Sequence, residues 1–385
     1  MRRDSYMMQQ LHTPVTNSKN IKRYNRARIY DLIRKETNIS KQQIANRLHL
    51  SLPTVIQNLN ELQQMELIRP NGYHDSTGGR RAQHYEIVSD YRIAVGLSIT
   101  RHHIAAVAVD LNGHTIASVR RRQTFSFTDE YFRTLGAAVD QLIENHRLPP
   151  DRILGVGISI PGLIDSSRTR TYYCRVLDLD SASTDDFARY IRFPSFLCHD
   201  VASAASAERW SNNIPTFFYI MLNDSIGGAI IINHETFEGV NNRSAEIGHI
   251  KIRPGGKKCY CGKRGCMDSY CSAKVLTSIT DGELHIFFDR LTAHDEQASR
   301  IWETYLDHLA VAINDIRMLY DCDIILGGHV GEHFDDYIDC LKKRVSKLDP
   351  FTTDADYVRV CKARNEASAV GAALSFIDDF LQKNP

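Results

Sequence analysis

The sequence predicts an α/β protein in two unequal parts: a small three-helix head closed by a β-hairpin, then a body of two related α/β lobes with a cleft between them. Three observations carry this reading. Residues 25–87 show helical apolar spacing broken by tight turns. From residue 92 a pattern of three strands followed by strand–helix alternation runs twice. Within the second run lies a cysteine cluster, Cys259-Tyr-Cys261-Gly-Lys-Arg-Gly-Cys266, ten residues after His249.

The head is basic. Residues 1–85 hold 14 Lys and Arg against 6 Asp and Glu, a net +8, while the remainder holds 33 against 40, a net −7. A basic head on an acidic body points to a polyanionic partner for the head. Residues 1–24 read as an arm and 25–88 as the domain. Ile29, Leu32 and Ile33 give a first helix one apolar face. Ser40 is placed to cap a second, 41–48, and Ser51 to cap a third, where Pro53 fits the first turn. Val55, Leu59 and Leu62 predict the buried face of this third helix, with Thr54, Gln57 and Asn58 on the other side. The short turn 49–51 between the last two helices is the layout of a helix-turn-helix, whose final helix enters a major groove. Gln57 and Asn58 are side chains that pair with adenine, and Ser51 and Thr54 reach phosphate or a thymine methyl. Strands at 67–69 and 83–87 then flank Gly78-Gly-Arg80-Arg81, a wing whose arginines grip phosphate or a narrow minor groove. Double-stranded DNA is the expected partner. A three-helix protein-interaction module would not call for the double-arginine tip.

In the body, strands are expected at 93–97, 104–109 and 115–119, a helix at 128–146, and a buried strand at 153–160 ending in Pro161-Gly162. A strand at 196–198 delivers His199 and Asp200 to a helix at 201–210. The second run has strands at 217–222 and 226–232, a helix near 296–320, a strand at 323–326 ending at Gly327-Gly328, and a last helix near 365–382. Ligands of such folds sit in the crevice at strand ends. His249, Cys259, Cys261 and Cys266 form a ligand set for one structural zinc ion, in a loop too rich in lysine and arginine to be core. Nine cysteines, an odd number with four packed into 259–271, fit a reducing compartment better than a disulfide framework. No apolar run reaches membrane-spanning length and the first residues lack the apolar core of a signal peptide, so a cytoplasmic protein is expected.

Glu246-Ile-Gly-His249, the cysteine motif, Asp268 and Ser272 together resemble the signature of the ROK family (repressors, open reading frames and sugar kinases). The likeness covers roughly 25–380. It implies an N-terminal winged helix-turn-helix followed by a two-lobed actin-like, ribonuclease H-like ATPase-type body (89–385), with a zinc loop at 246–272. It also implies a sugar site: Gly162 lining the pocket, Asp200 matching the carboxylate that takes the proton of the attacking sugar hydroxyl in the kinases, and Glu246 and His249 bonding sugar hydroxyls. By themselves, Asp200 reads as a helix cap and Glu246 as a solvated or metal-supporting carboxylate. Two positions depart from the family: His199 replaces Asn and Asp268 replaces Glu. The family kinases' first phosphate motif, Asp-x-Gly-Gly-Thr, is here Ser98, Thr100, Arg101 and His102. Their second, Gly-Thr-Gly-x-Gly, is here Asn223-Asp224-Ser225-Ile226-Gly227, while Gly327-Gly328 survives. The resemblance therefore implies no ATP and no enzyme, but a repressor of carbohydrate-metabolism genes responsive to a sugar or sugar derivative, acting as a homodimer or homotetramer. A sugar kinase with an appended head, and a regulator controlled by a protein partner, are the alternatives. An amphipathic last helix bearing Phe376, Phe380 and Leu381 is a candidate for subunit packing.

Overall fold

The computed structural model describes residues 18–383 apart from 37, 74–82, 213 and 365. The head consists of α1 (Ser18–Lys35), β1 (Ile39–Ser40), α2 (Lys41–Leu48), α3 (Leu52–Gln64), β2 (Ile68–Tyr73) and β3 (Gln83–Ile87). The first helix begins at Ser18, within the stretch expected to be an arm. Ser40 and Gln43 close α2 with a reciprocal capping box, and His49 ends it in the left-handed conformation at φ 54°. Ile29, Ile33, Ile44, Val55, Leu59 and Leu62 meet in the head's core. Strand β1, too short to show a period, pairs with β3 beside the hairpin.

The first lobe holds β4 (Ile93–Ile99), β5 (His103–Asp110), β6 (Thr115–Arg122), α4 (Asp129–Asn145), β7 (Ile153–Ile160), β8 (Leu163–Ile164), β9 (Arg170–Tyr173), β10 (Ala182–Ser183), α5 (Thr184–Phe187), β11 (Ser195–His199) and α6 (Asp200–Ser211). Its main sheet runs β11-β7-β4-β5-β6. The second lobe holds β12 (Phe217–Leu222), β13 (Ile226–Ile232), β14 (Glu235–Thr236), α7 (Asp268–Cys271), α8 (Ala273–Leu276), α9 (Leu284–Thr292), α10 (Glu296–Tyr320), β15 (Asp323–Gly327), α11 (Gly328–Gly331), α12 (Ile338–Leu348), β16 (Val358–Val360) and α13 (Ala367–Lys383). Its sheet runs β14-β13-β12-β15-β16. In both lobes a three-strand antiparallel meander is extended on its first strand by two parallel strands. The duplication seen in the sequence is a duplication of topology. The central strand β4 is buried at every position, as a strand covered on both faces must be.

The last helix leaves the second lobe and packs on the first. A Cβ at Gly96 of β4 would run into the Ala369 carbonyl oxygen of α13, and one at Gly371 of α13 into the Ser203 carbonyl oxygen of α6. Phe376 stacks on Phe196 at 4.4 Å, and Phe380 and Leu381 pack against the same core. These apolar residues therefore serve the fold of their own chain. Helix α6 spans about 18 Å at the usual rise. Its first residue, Asp200, lies at the lobe crevice. At its far end the Trp210 ring carries the Arg34 guanidinium of α1 at 4.4 Å, joining the body to the head. Among the described residues no helix is long and apolar enough to cross a membrane.

Candidate DNA-reading face, metal centre and interlobe cleft

Ser51 Oγ accepts from Thr54 N at 3.3 Å and lies 2.8 Å from Thr54 Oγ1, so both polar groups expected at DNA also build the start of α3. Ser51 and Gln57 are exposed on its outer face and Thr54 is half-buried. Asn58 is not outward: it is 1% exposed, and its Nδ2 donates to Thr54 O at 2.7 Å. Position overrides residue type, because 58 lies three residues after Val55 and four before Leu62, on the apolar stripe. Residues missed on the outer face are Ile56 and Asn60, both exposed and both found by stepping three or four residues from Pro53 and Gln57. Glu61 is held by ion pairs to Lys22 and Arg26 of α1. Arg80 and Arg81 lie outside the described residues.

The metal loop is folded by two short bridges, Lys251 with Cys266 and Lys258 with Arg264, and by Gly262 and Gly265 at φ 85° and 81°, where a side chain would be strained. This brings the ligand atoms of His249, Cys259, Cys261 and Cys266 within 4.8 Å of one another. Cys261 Sγ and Cys266 Sγ are 3.7 Å apart, and Cys259 Sγ is 3.8 Å from His249 Nδ1. Such separations match the edges of a tetrahedron around a metal with bonds of about 2.3 Å to sulfur. Lys251 Nζ, 2.7 Å from Cys266 Sγ, offsets thiolate charge. Burial, and then the Lys251 ammonium, lower the His249 pKa and keep its ring in the neutral form that binds metal. The four residues can thus hold a metal ion. Tyr260, which the sequence reading passed over, projects from this loop and sets its hydroxyl 3.4 Å from His249 Nε2.

An open cleft between the lobes holds a cavity of about 110 Å³, lined by Leu163, His199, Ser203, Phe237, Asn242 and Glu246 among others. His199 Nε2 is 3.4 Å from Asp200 Oδ1, and the same oxygen accepts from Val201 N at 2.8 Å. Asp200 is therefore the first residue of α6, bonded within its first turn, while His199 is the cap residue. Burial raises the pKa of both Asp200 and Glu246; His199 opposes each shift, and the Asp200 charge adds to that of Glu246. Gly162 sits behind the cleft, where a Cβ would press on Cys174 and the Tyr173 carbonyl. Asp268 departs from expectation. Of the expected sugar residues, His199 and Glu246 line the cleft, whereas Gly162, Asp200, His249 and Asp268 do not. Asp268 is 7% exposed and accepts from Ile226 N at 2.8 Å. With its one methylene, this side chain anchors the start of β13. Two hydrogen bonds missed in the sequence cross the cleft mouth: Tyr172 Oη donates to Asn241 O and Asn242 Nδ2 to Ile164 O, both at 3.0 Å.

The opposite end of the crevice is closed on itself. Thr100 N donates to His103 O at 3.0 Å and His103 N to Thr100 Oγ1 at 3.1 Å, so the first loop's amides bond within the turn. Asn223 Oδ1 accepts from His329 N at 2.7 Å, beside Gly328 at φ 78°. The Thr100, His103 and His329 amides are thus already engaged within the protein and are not free to cradle phosphate.

A family model described as the ROK family matches residues 94–379, and one described as winged helix-turn-helix DNA-binding matches 22–69. The N-acetylglucosamine repressor of Escherichia coli O157:H7 is 26% identical over 91% of this chain and 92% of its own. The xylose repressor of Bacillus subtilis (strain 168) is 28% identical over 66% of this chain and 67% of its own. Among solved structures, a ROK family transcriptional regulator described as a homolog of the E. coli MLC protein superposes with a TM-score of 0.73, covering 94% of this chain and 98% of that one at 18% identity, which shows the shared fold. With its two topologically equivalent lobes, its His–Cys loop and a family match over most of its length, this chain belongs to the ROK family.

Proposed function

We propose that this protein is a sequence-specific transcriptional repressor of carbohydrate-metabolism genes, controlled by a sugar or sugar derivative bound between the lobes. The observation that carries the reading is the asymmetry of the crevice. The His199 and Glu246 end is open and polar, while at the other end the phosphate motifs of the family kinases are replaced by Ser98, Thr100, Arg101 and His102 and by Asn223-Asp224-Ser225. A kinase stabilises transferring phosphate through the amides and the magnesium ligand of such motifs. Losing several contacts of a few kcal/mol each removes useful turnover.

In this reading Ser51, Thr54, Gln57 and the exposed Asn60 of α3 face the DNA, with Arg80 and Arg81 on flanking phosphate or minor groove. Asn58 instead braces the helix from inside. Two heads in a homodimer or homotetramer address half-sites spaced by helical turns of about 34 Å. The metal is zinc, bound by His249, Cys259, Cys261 and Cys266. When bound it fixes the His249 ring and stiffens the loop carrying Glu246. His199, Asp200, Glu246 and His249 contact the sugar, Gly162 shapes the pocket behind them, and Asp268 supports the floor. Control passes along α6, which has the sugar-side Asp200 at one end and Trp210 under the head's Arg34 at the other.

Capture of genomic fragments by the purified protein, with and without hexoses, N-acetylhexosamines and pentoses, tests the proposal. A discrete palindromic site whose occupancy one sugar changes supports it. Binding that is non-specific and unmoved by every sugar removes it, as would sugar-dependent release of ADP from ATP.

A further inference from the structure

Among the side chains of the metal loop that are not ligands, Tyr260 lies against the ligand His249. Cys259 and Cys261 turn their sulfurs toward the ligand cluster, and Tyr260 between them turns outward, 55% exposed. Its ring stands edge-on to His249, with centroids 5.3 Å apart and planes at 63°, and its hydroxyl is 3.4 Å from Nε2. The other ring nitrogen, Nδ1, faces Cys259 Sγ. A metal on Nδ1 leaves the neutral ring with its proton on Nε2, so Nε2–H is a fixed donor. In this structure the acceptor beside that donor is the chain's own phenol. A sugar hydroxyl that accepts from His249, as the proposed function has it, competes for the same Nε2–H.

We propose that Tyr260 is a built-in stand-in for a ligand hydroxyl: it occupies the Nε2–H of His249 in the unliganded protein and is displaced when a sugar binds, so it sets the affinity and selectivity of the cleft. The inference rests on the reading of the cleft as a sugar site. It makes Tyr260 a specificity-determining residue. A ligand without a hydroxyl at that place leaves the phenol seated, and one that supplies it competes against an acceptor already present.

Calorimetric titration of the zinc-loaded protein and of Tyr260→Phe with glucose, N-acetylglucosamine and xylose tests this. Removing one competing hydrogen bond tightens binding of any accepted sugar by about three- to tenfold, with zinc content unchanged. A second readout needs no sugar. In the cobalt-substituted protein the Nε2–H proton of His249 is shifted out of the main proton spectrum, and its exchange with solvent should quicken in Tyr260→Phe. Unchanged or weaker sugar binding by the variant, or an unchanged exchange rate, overturns the stand-in and leaves the sugar reading intact. Binding of none of the three sugars by either protein overturns both.

Discussion

Asp349 is 8% exposed and gathers four donors: Phe351 N, Thr352 N, Thr352 Oγ1 and Tyr357 Oη. Burial pushes its carboxyl up, and the hydrogen bonds outweigh that and hold it down at about 2, against an ordinary 3.8. A depressed folded-state pKa adds stability above the unfolded value and loses it as pH falls through the folded one. Asp349→Asn should therefore cost about 1–2 kcal/mol at neutral pH, and thermal melts of variant and wild type should converge between pH 3.8 and about 2. Cys261→Ser removes a first ligand from the metal set, and metal affinity should fall about a hundredfold or more, read by competition with a chelator. A variant that keeps stoichiometric zinc under the same chelator would remove Cys261 from the centre. The metal ligands were legible because thiols and imidazole at fixed spacing have few other uses in a polar loop. Asn58 was misplaced because its chemistry suits adenine, and that chemistry drew the assignment away from its place on the apolar stripe.

At the level of elements, the long periodic segments were readable and the short ones were not. Strands β7, β12 and β13 begin and end where their apolar runs do, and α4 and α10 follow their helical spacing within a residue. The β8–β9–β10 sheet has strands of 2, 4 and 2 residues, too short for alternation to register, yet it supplies Tyr172 and Ile164 to the cleft mouth. The last helix shows a different gap. Its apolar face is obvious in the sequence, but the identity of the surface it covers depends on glycines far away in β4 and β7. That match is geometric, and it can be tested. Gly371→Ala places a methyl against the Ser203 carbonyl, and the backbone of α6 cannot give way cheaply. A loss of about 2–3 kcal/mol is expected, seen as a lower denaturant midpoint at constant slope. A neutral effect would mean that α13 and α6 are further apart than described.

Across the whole molecule, the proposed control runs from the cleft to the head through one helix packed on both sides. Helix α6 is clamped by α13, and its buried Glu208 accepts from Lys362 N and Ala363 N, which fixes the turn leading into α13. On the proposed route, movement at Asp200 would reach Trp210 as a rigid displacement, since packed interiors shift between discrete arrangements more readily than they deform. An effective sugar is expected to change operator affinity by about 5- to 150-fold. In Trp210→Ala, and in the milder Arg34→Gln, that ratio should fall toward one while sugar and operator each still bind. Retention of the full ratio in both variants would place the coupling elsewhere. The seat of α13 on the first lobe also fixes an order of events during synthesis. The head is translated first and closes on its own core, whereas the first lobe waits for a helix that begins 274 residues after β4 does, about half a minute at ordinary elongation rates. Throughout that interval a ribosome-bound chain carries a folded DNA reader on an unfinished sensor. The reader of DNA is complete before the part proposed to govern it exists.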